Sequence, residues 1–234
     1  MVKRTVTTMR EQVYQILRDE ICAGFYSPGY RLQELELTEH LNVSRSPVRE
    51  ALRQLASDGL VVEIPNKGVY VKAFTVKDIE EIFDLRVMLE GYGIEKGAVK
   101  MTSARIKKLL ELMERMESAY VNADLRTYTE LDEQLHTEIV SLAGNDLVDD
   151  TYERVRSMNQ QFRVLSLSSA KRFEESMEEH RSMIQALLTG DIQTALETNR
   201  SHLRLARKTI IERMEQQKGA GKATADNGKT ETSL

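Results

Sequence analysis

Residues 28–71 read PGYRLQELELTEHLNVSRSPVREALRQLASDGLVVEIPNKGVYV, and the reading of the whole chain turns on them. Pro28-Gly29 marks a turn. A short amphipathic helix is expected next, with Leu35, Leu37 and Leu41 as its apolar positions and Asn42-Val43 as its end. Ser44 can cap a second helix, and Pro47 falls in its first turn, where a missing N–H costs nothing. That helix carries Val48, Leu52 and Leu55 on one side and Arg45, Arg49 and Arg53 on another. Two helices joined by a short turn, with basic residues at the start of the second, form the helix-turn-helix pattern. After Gly59, residues 60–64 read as a strand, 65–68 as a tight turn and 69–71 as the returning strand. A hairpin placed there is a wing, tipped by Lys67 with Gly68 beside it.

Upstream, Lys3 and Arg4 belong to an expected basic arm, and Val13, Ile16, Leu17 and Ile21 recur at helical spacing over 9–23. Downstream, Thr75 with Asp78 three residues on opens a new helix. Helical spans are expected at 76–99, 103–122, 124–143, 146–166, 169–189 and 191–216. They are broken only by short stretches holding Gly or small capping residues, such as Gly144-Asn145 and Gly190-Asp191. Connections this short imply antiparallel neighbours. The expected fold is mainly α: a winged helix-turn-helix domain over 1–74, then an all-α antiparallel bundle of six or seven helices over 75–218. Residues 219–234 have no large apolar residue before Leu234 and are expected to be a disordered tail.

The composition, 41% hydrophobic and 30% charged, is that of an ordinary globular chain. No apolar run approaches the roughly 18 residues that span a bilayer, and the opening MVKRTVTTMREQ lacks the apolar core of a signal peptide. The single cysteine, Cys22, excludes an intramolecular disulfide framework. These features lead us to expect a cytoplasmic protein with no membrane role. A net charge of −4 looks wrong for a nucleic-acid binder. However, residues 1–74 carry ten Lys and Arg against nine Asp and Glu, whereas residues 75–218 carry 21 against 26. The acidic excess lies in the second part, and clustering of positive charge, not net charge, sets the local field of the first.

Three of the four histidines fall in the bundle. Asp132 and His136 lie i,i+4 within the stripe Leu125, Tyr128, Leu135, Ile139 and Leu142, so both point at the core. His180 sits among Met177, Met183, Ile184 and Leu187, and His202 among Ala195, Leu205 and Ala206. A lone core histidine is ordinarily satisfied by a neighbour. Three from three helices with an aspartate suit a divalent metal: Zn²⁺ as the first choice, or Ni²⁺, Mn²⁺ or Fe²⁺. Arg86 shares the stripe of Ile79, Ile82 and Phe83 with Glu90 four residues on. It can either pair with Glu90 or grip a carboxylate ligand. Asn199, one turn before His202, is a further pocket candidate. Arg163 is a weaker one, with a solvent-facing role equally open.

The strings PGYRL, VSRSPVREAL, DGLVV and NKGVYV resemble the amino-terminal domain of GntR-family bacterial transcriptional regulators. R86VMLE90, D132EQLH136, G144N145, E179H180 and G190D191 followed by His202 resemble the all-helical FCD domain of the FadR-like branch of that family. Together the resemblances cover roughly residues 10–215. They imply that Asp132, His136, His180 and His202 bind a divalent metal, which commonly holds a carboxylate effector such as a hydroxy acid or sugar acid. Leu135 stands where the family usually has Phe; that affects packing rather than ligation.

The expectation is a homodimeric, effector-responsive transcriptional regulator, a repressor by the commoner family behaviour, and not an enzyme. Its partner is a pseudo-palindromic double-stranded operator matching the symmetry of the dimer. Arg45 and Arg49 are expected at guanine edges, Ser44, Ser46 and Arg31 at phosphates, and Lys67 with Gly68 at the minor groove. Arg86 and Asn199 are expected at a small organic acid. Three alternatives remain open: a metal-responsive regulator with no organic effector, a metalloenzyme, and a protein-docking winged helix.

Overall fold

The computed structural model describes residues 8–167 and 169–227. The basic arm at Lys3-Arg4 lies outside them. The described residues fall into two compact units: the first holds the residues up to Thr75 together with Glu153–Gln161, the second Val76–Tyr152 and the residues from Phe162 onward.

The first unit begins with α1 (Met9–Cys22), opened by a capping box: Thr8 Oγ1 accepts from the Glu11 amide, and the Glu11 carboxylate accepts from the Thr8 amide. Then come β1 (Arg31–Leu32), α2 (Glu34–Leu41), α3 (Arg45–Ser57), β2 (Val61–Ile64) and β3 (Gly68–Val71). Asn42 ends α2 in the left-handed conformation, φ 51°, and so makes the sharp turn into α3. Val13, Leu17, Leu37, Val48, Leu52, Leu55 and Leu60 form the core. Leu35 departs from expectation: it is 55% exposed, and only Leu37 of α2 is buried. An eight-residue helix has room for one inward ridge.

The wing is three-stranded, in the order β1-β3-β2, all antiparallel. Its third strand, β1, was not expected, because two residues carry no periodicity. It pairs Arg31 with Tyr70 and Leu32 with Val69. At the tip Asn66 and Gly68 both have positive φ, and the Lys67 amide donates to the Ile64 carbonyl. Gly68 leaves room for Arg31: a Cβ there would meet the Arg31 Nε at 3.3 Å.

The second unit holds α4 (Val76–Gly97), a 3₁₀ turn (Ala98–Lys100), α5 (Ser103–Val121), α6 (Leu125–Ser141), the two ends of α7 (Asp146–Ser166), whose stretch Glu153–Gln161 belongs to the first unit, α8 (Ala170–Thr189) and α9 (Ile192–Asn227). Thr102, Asp124 and Ser169 cap α5, α6 and α8 with side-chain acceptors, and Gly190 ends α8 in the left-handed conformation. The core runs through Ile94, Leu109, Leu112, Met116, Leu131, Leu135, Ile139, Met183 and Leu187. Gly93 and Gly97, one turn apart, bring α4 close to α6. A Cβ on either would collide with the Ile139 carbonyl oxygen or with Leu142.

α9 does not stop at 216 as expected but runs to Asn227. Residues 228–234 of the expected tail lie outside the described residues.

Candidate functional site

Within the second unit, Asp132 and His136 of α6, His180 of α8 and His202 of α9 converge. All four are buried, and one ligand atom from each lies within 4.8 Å of the others. His180 Nε2 is 3.4 Å from His136 Nε2 and 3.3 Å from Asp132 Oδ1, and His136 Nε2 is 3.7 Å from Asp132 Oδ1. Ligands about 2.0–2.2 Å from a tetrahedral ion sit about 3.3–3.6 Å from one another. The donor set suits a divalent metal, and the distances among Asp132, His136 and His180 are close to that spacing.

Each imidazole is oriented from behind. His136 Nδ1 lies 2.9 Å from Glu90 Oε2, His180 Nδ1 lies 3.1 Å from the Tyr128 hydroxyl, and His202 Nδ1 lies 2.7 Å from Glu179 Oε2. With the proton on each Nδ1, each Nε2 keeps its lone pair for the centre. The supports are themselves held. Glu90, fully buried, also accepts from Arg86 Nε at 2.9 Å and from the Tyr152 hydroxyl at 3.1 Å. Glu179 takes both terminal nitrogens of Arg172, at 3.1 and 2.6 Å. Arg163 pairs with Asp132. Sequence reasoning left Arg163 open to solvent; it is 3% exposed and belongs to the cluster.

The electrostatics follow from this wiring. Burial pushes the Glu90 carboxyl up, but Arg86 and His136 outweigh it and hold the group at about 2. Burial likewise opposes ionisation of Asp132, and Arg163 and His136 overcome it, leaving its carboxyl well below the usual range. Burial lowers His180 and His202, which favours the neutral imidazoles a metal needs. His136 is raised: burial lowers it, and the Glu90 charge more than compensates.

Arg86 sits 4% exposed, paired with Glu90 and lying over the Phe83 ring at 5.2 Å. Both readings of this arginine begin from the same place: it is inside, and it is paired. Asn199 is 2% exposed, and its side-chain carbonyl oxygen has no hydrogen-bond partner among the described residues. Of the supports, Glu90 and Glu179 had a signal in the sequence, one as a carboxylate inside an apolar stripe and the other next to His180. Tyr128 appeared only as a stripe residue, and nothing marked Tyr152.

In the first unit, Ser44 stands at the N-cap of α3 but makes no side-chain cap bond, and its side chain is exposed. Arg45, Ser46, Arg49, Arg53, Arg31 and Lys67 are all exposed, and Gly68 is half-buried. Ser46 Oγ donates to Glu50 at 3.3 Å. Arg49 donates from Nε and Nη2 to the two oxygens of Glu34, at 3.0 and 2.8 Å. His40 is exposed, bonded to Glu20 at 2.9 Å and stacked with Phe25.

A winged helix-turn-helix followed by a helical bundle with a buried Asp/His cluster defines the class: a DNA-binding transcriptional regulator. The chain belongs to the gntR family of bacterial regulatory proteins, whose description it matches over residues 9–71, and it carries an FCD domain over residues 81–205. It is similar to the uncharacterized HTH-type transcriptional regulator YdhC of Bacillus subtilis, 30% identical over 74% of this chain and 78% of the relative. The gluconate operon transcriptional repressor of the same species is 28% identical over 75% of this chain and 74% of the relative. Among solved structures, a GntR transcriptional regulator from Rhodococcus sp. RHA1 superposes with a TM-score of 0.73 at 28% identity, covering 88% of this chain and 99% of that one. The chain is thus a transcriptional regulator, not an enzyme, and its relatives include repressors. Among the described residues no helix is long and apolar enough to cross a membrane.

Proposed function

We propose that the chain is a cytoplasmic, homodimeric repressor whose grip on a pseudo-palindromic operator is set by a small carboxylate bound at a divalent metal, zinc first, in the helical domain. The observation that carries the reading is the buried quartet of Asp132, His136, His180 and His202, with every histidine oriented from behind. Bound there, the metal supplies a positive charge and positions for ligand oxygens.

The residues around it suit an organic acid. Arg86 is a buried guanidinium one turn from Glu90 on α4, and a planar fork of this kind favours carboxylates. Asn199 offers an acceptor that a ligand hydroxyl would satisfy. The name of the gluconate operon repressor points the same way, toward a hydroxy acid. Control requires the acid to bind one state of the dimer better than the other. At the DNA, Arg45 and Arg49 would read guanine edges in the major groove. Ser44, Ser46 and Arg31 would meet phosphates, and Lys67 with Gly68 would reach the minor groove.

The test is a thermal-shift screen of zinc-loaded protein against small carboxylates, repeated with His136→Ala, His180→Ala and Arg86→Ala. A hydroxy acid or sugar acid should raise Tm in the wild-type chain and fail to do so in each variant. A second reading, a metal-responsive regulator with no organic effector, rests on the same quartet. Operator binding that follows zinc concentration and ignores every carboxylate would favour it. Salt-dependent loss of DNA affinity, steeper in wild type than in Arg45→Ala, would exclude a protein-docking role for the winged domain.

A further inference from the structure

Arg49 projects from the recognition helix α3 into solvent, 54% exposed, yet it is not free. Its Nε and Nη2 donate to both oxygens of Glu34, the first residue of α2, fifteen positions earlier. A pair this exposed contributes little to folding. What a two-bond fork does supply is geometry, because it fixes the plane of the guanidinium. Arg45 and Arg53 also bear on Glu34 electrostatically. One carboxylate thus sits among the three arginines of the helix that faces DNA. Two consequences follow. Arg49 can meet a base edge only with the donors Glu34 leaves outward, and the local positive field that draws any DNA phosphate is reduced by one charge.

We infer that Glu34 is a specificity-determining positioning residue: it holds Arg49 in a single reading orientation and suppresses binding to unrelated DNA. The inference rests on the DNA-binding reading of the winged domain. Without Glu34, Arg49 samples many rotamers, reaches phosphates more readily and reads its base less well. Affinity for arbitrary sequence then rises while discrimination falls.

The test uses the full chain and two duplexes of equal length, one enriched by the wild-type chain from a random pool and one unrelated. Affinities are measured over a salt series for wild type, Glu34→Gln, Glu34→Asp, Arg49→Ala and the Glu34→Gln/Arg49→Ala double variant. Glu34→Gln should lower the ratio of specific to unrelated affinity by about tenfold, a size set by the loss of one oriented base contact. It should also steepen the salt slope on unrelated DNA by up to about one unit. Glu34→Asp keeps the charge at the α2 start but is too short to reach both nitrogens, so it should lose the ratio without the steeper slope. In the Arg49→Ala background, Glu34→Gln should leave the ratio unchanged. An unaltered ratio in Glu34→Gln, a wild-type ratio in Glu34→Asp, or an equal loss with and without Arg49 would overturn the inference. If the wild-type chain enriches no duplex at all, the DNA-binding reading itself falls, and this one with it.

Discussion

His136 Nδ1 and Glu90 Oε2 lie 2.9 Å apart, both side chains fully buried, joining α6 to α4 behind the metal-type quartet. This bond fixes which nitrogen of His136 faces the centre. Glu90→Gln should keep the volume while weakening that constraint. The expected outcome is a zinc affinity lower by about 10–100-fold, the usual effect of removing such a support. Competition against a chelator of known affinity measures it, and an unchanged Kd would show that Glu90 serves only Arg86 and Tyr152.

That bond depends on how near α4 comes to α6. Glu90 lies three residues before Gly93, where a Cβ would collide with the Ile139 carbonyl oxygen. Gly93→Ala should push the helices apart and cost roughly 1–3 kcal/mol, as overpacking of a tight core does. For a chain of this size each kcal/mol lowers Tm by about 2–4 °C. Calorimetry checks the loss. The same variant should bind zinc more weakly, because the carboxylate behind His136 has moved. A variant that is destabilised with full zinc affinity would uncouple the two effects.

A ligand that binds only the folded state adds stability by mass action. Zinc at 100 times its Kd should therefore contribute about 2.7 kcal/mol, and a chelator should remove it. In His180→Ala, denaturation should be indifferent to zinc and chelator alike. A chelator effect surviving in that variant would place the metal elsewhere.

The winged unit has its own titrating contact. The Tyr14 hydroxyl donates to Asp58 Oδ2 at 2.6 Å. Burial, then that hydrogen bond and the Asp58 charge, push Tyr14 up to about 12, against about 10 in an unfolded chain. A group raised on folding contributes stability that is complete below its unfolded value and is lost as pH climbs through its folded one. The stability difference between wild type and Tyr14→Phe should therefore be constant below pH 10 and shift against wild type from about pH 10 to 12. Urea denaturation of the full chain across that range measures it. A difference that does not move with pH would remove Tyr14 from the alkaline response.

The elements themselves were largely legible. Asn42, Asp124 and Gly190 mark helix ends by local backbone chemistry, and local chemistry needs no distant partner. Leu35 misled because periodicity counts apolar residues without knowing how many a short helix can bury. Arg163 stayed open for a related reason. An arginine in a polar-looking helix can be read as pocket or as surface until the partner 31 positions away, Asp132, is seen beside it. The strand at Arg31–Leu32 was too short to show any period, and only its ladder with β3 makes it a strand.

The sequence by itself determined the order of the helices and of the wing hairpin, the basic residues of α3 and the wing, and the inward placement of Asp132, His136, His180 and His202. Each of these is a property of spacing along one helix or one turn. Tertiary structure alone decided what stands behind those residues: Glu90 behind His136, Tyr128 behind His180, Glu179 behind His202, Arg163 beside Asp132 and Glu34 around Arg49. These pairs join separate helices. Their distances are set by how closely the helices cross, at Gly93 and Gly97 above all, and no periodicity within one segment encodes a crossing distance.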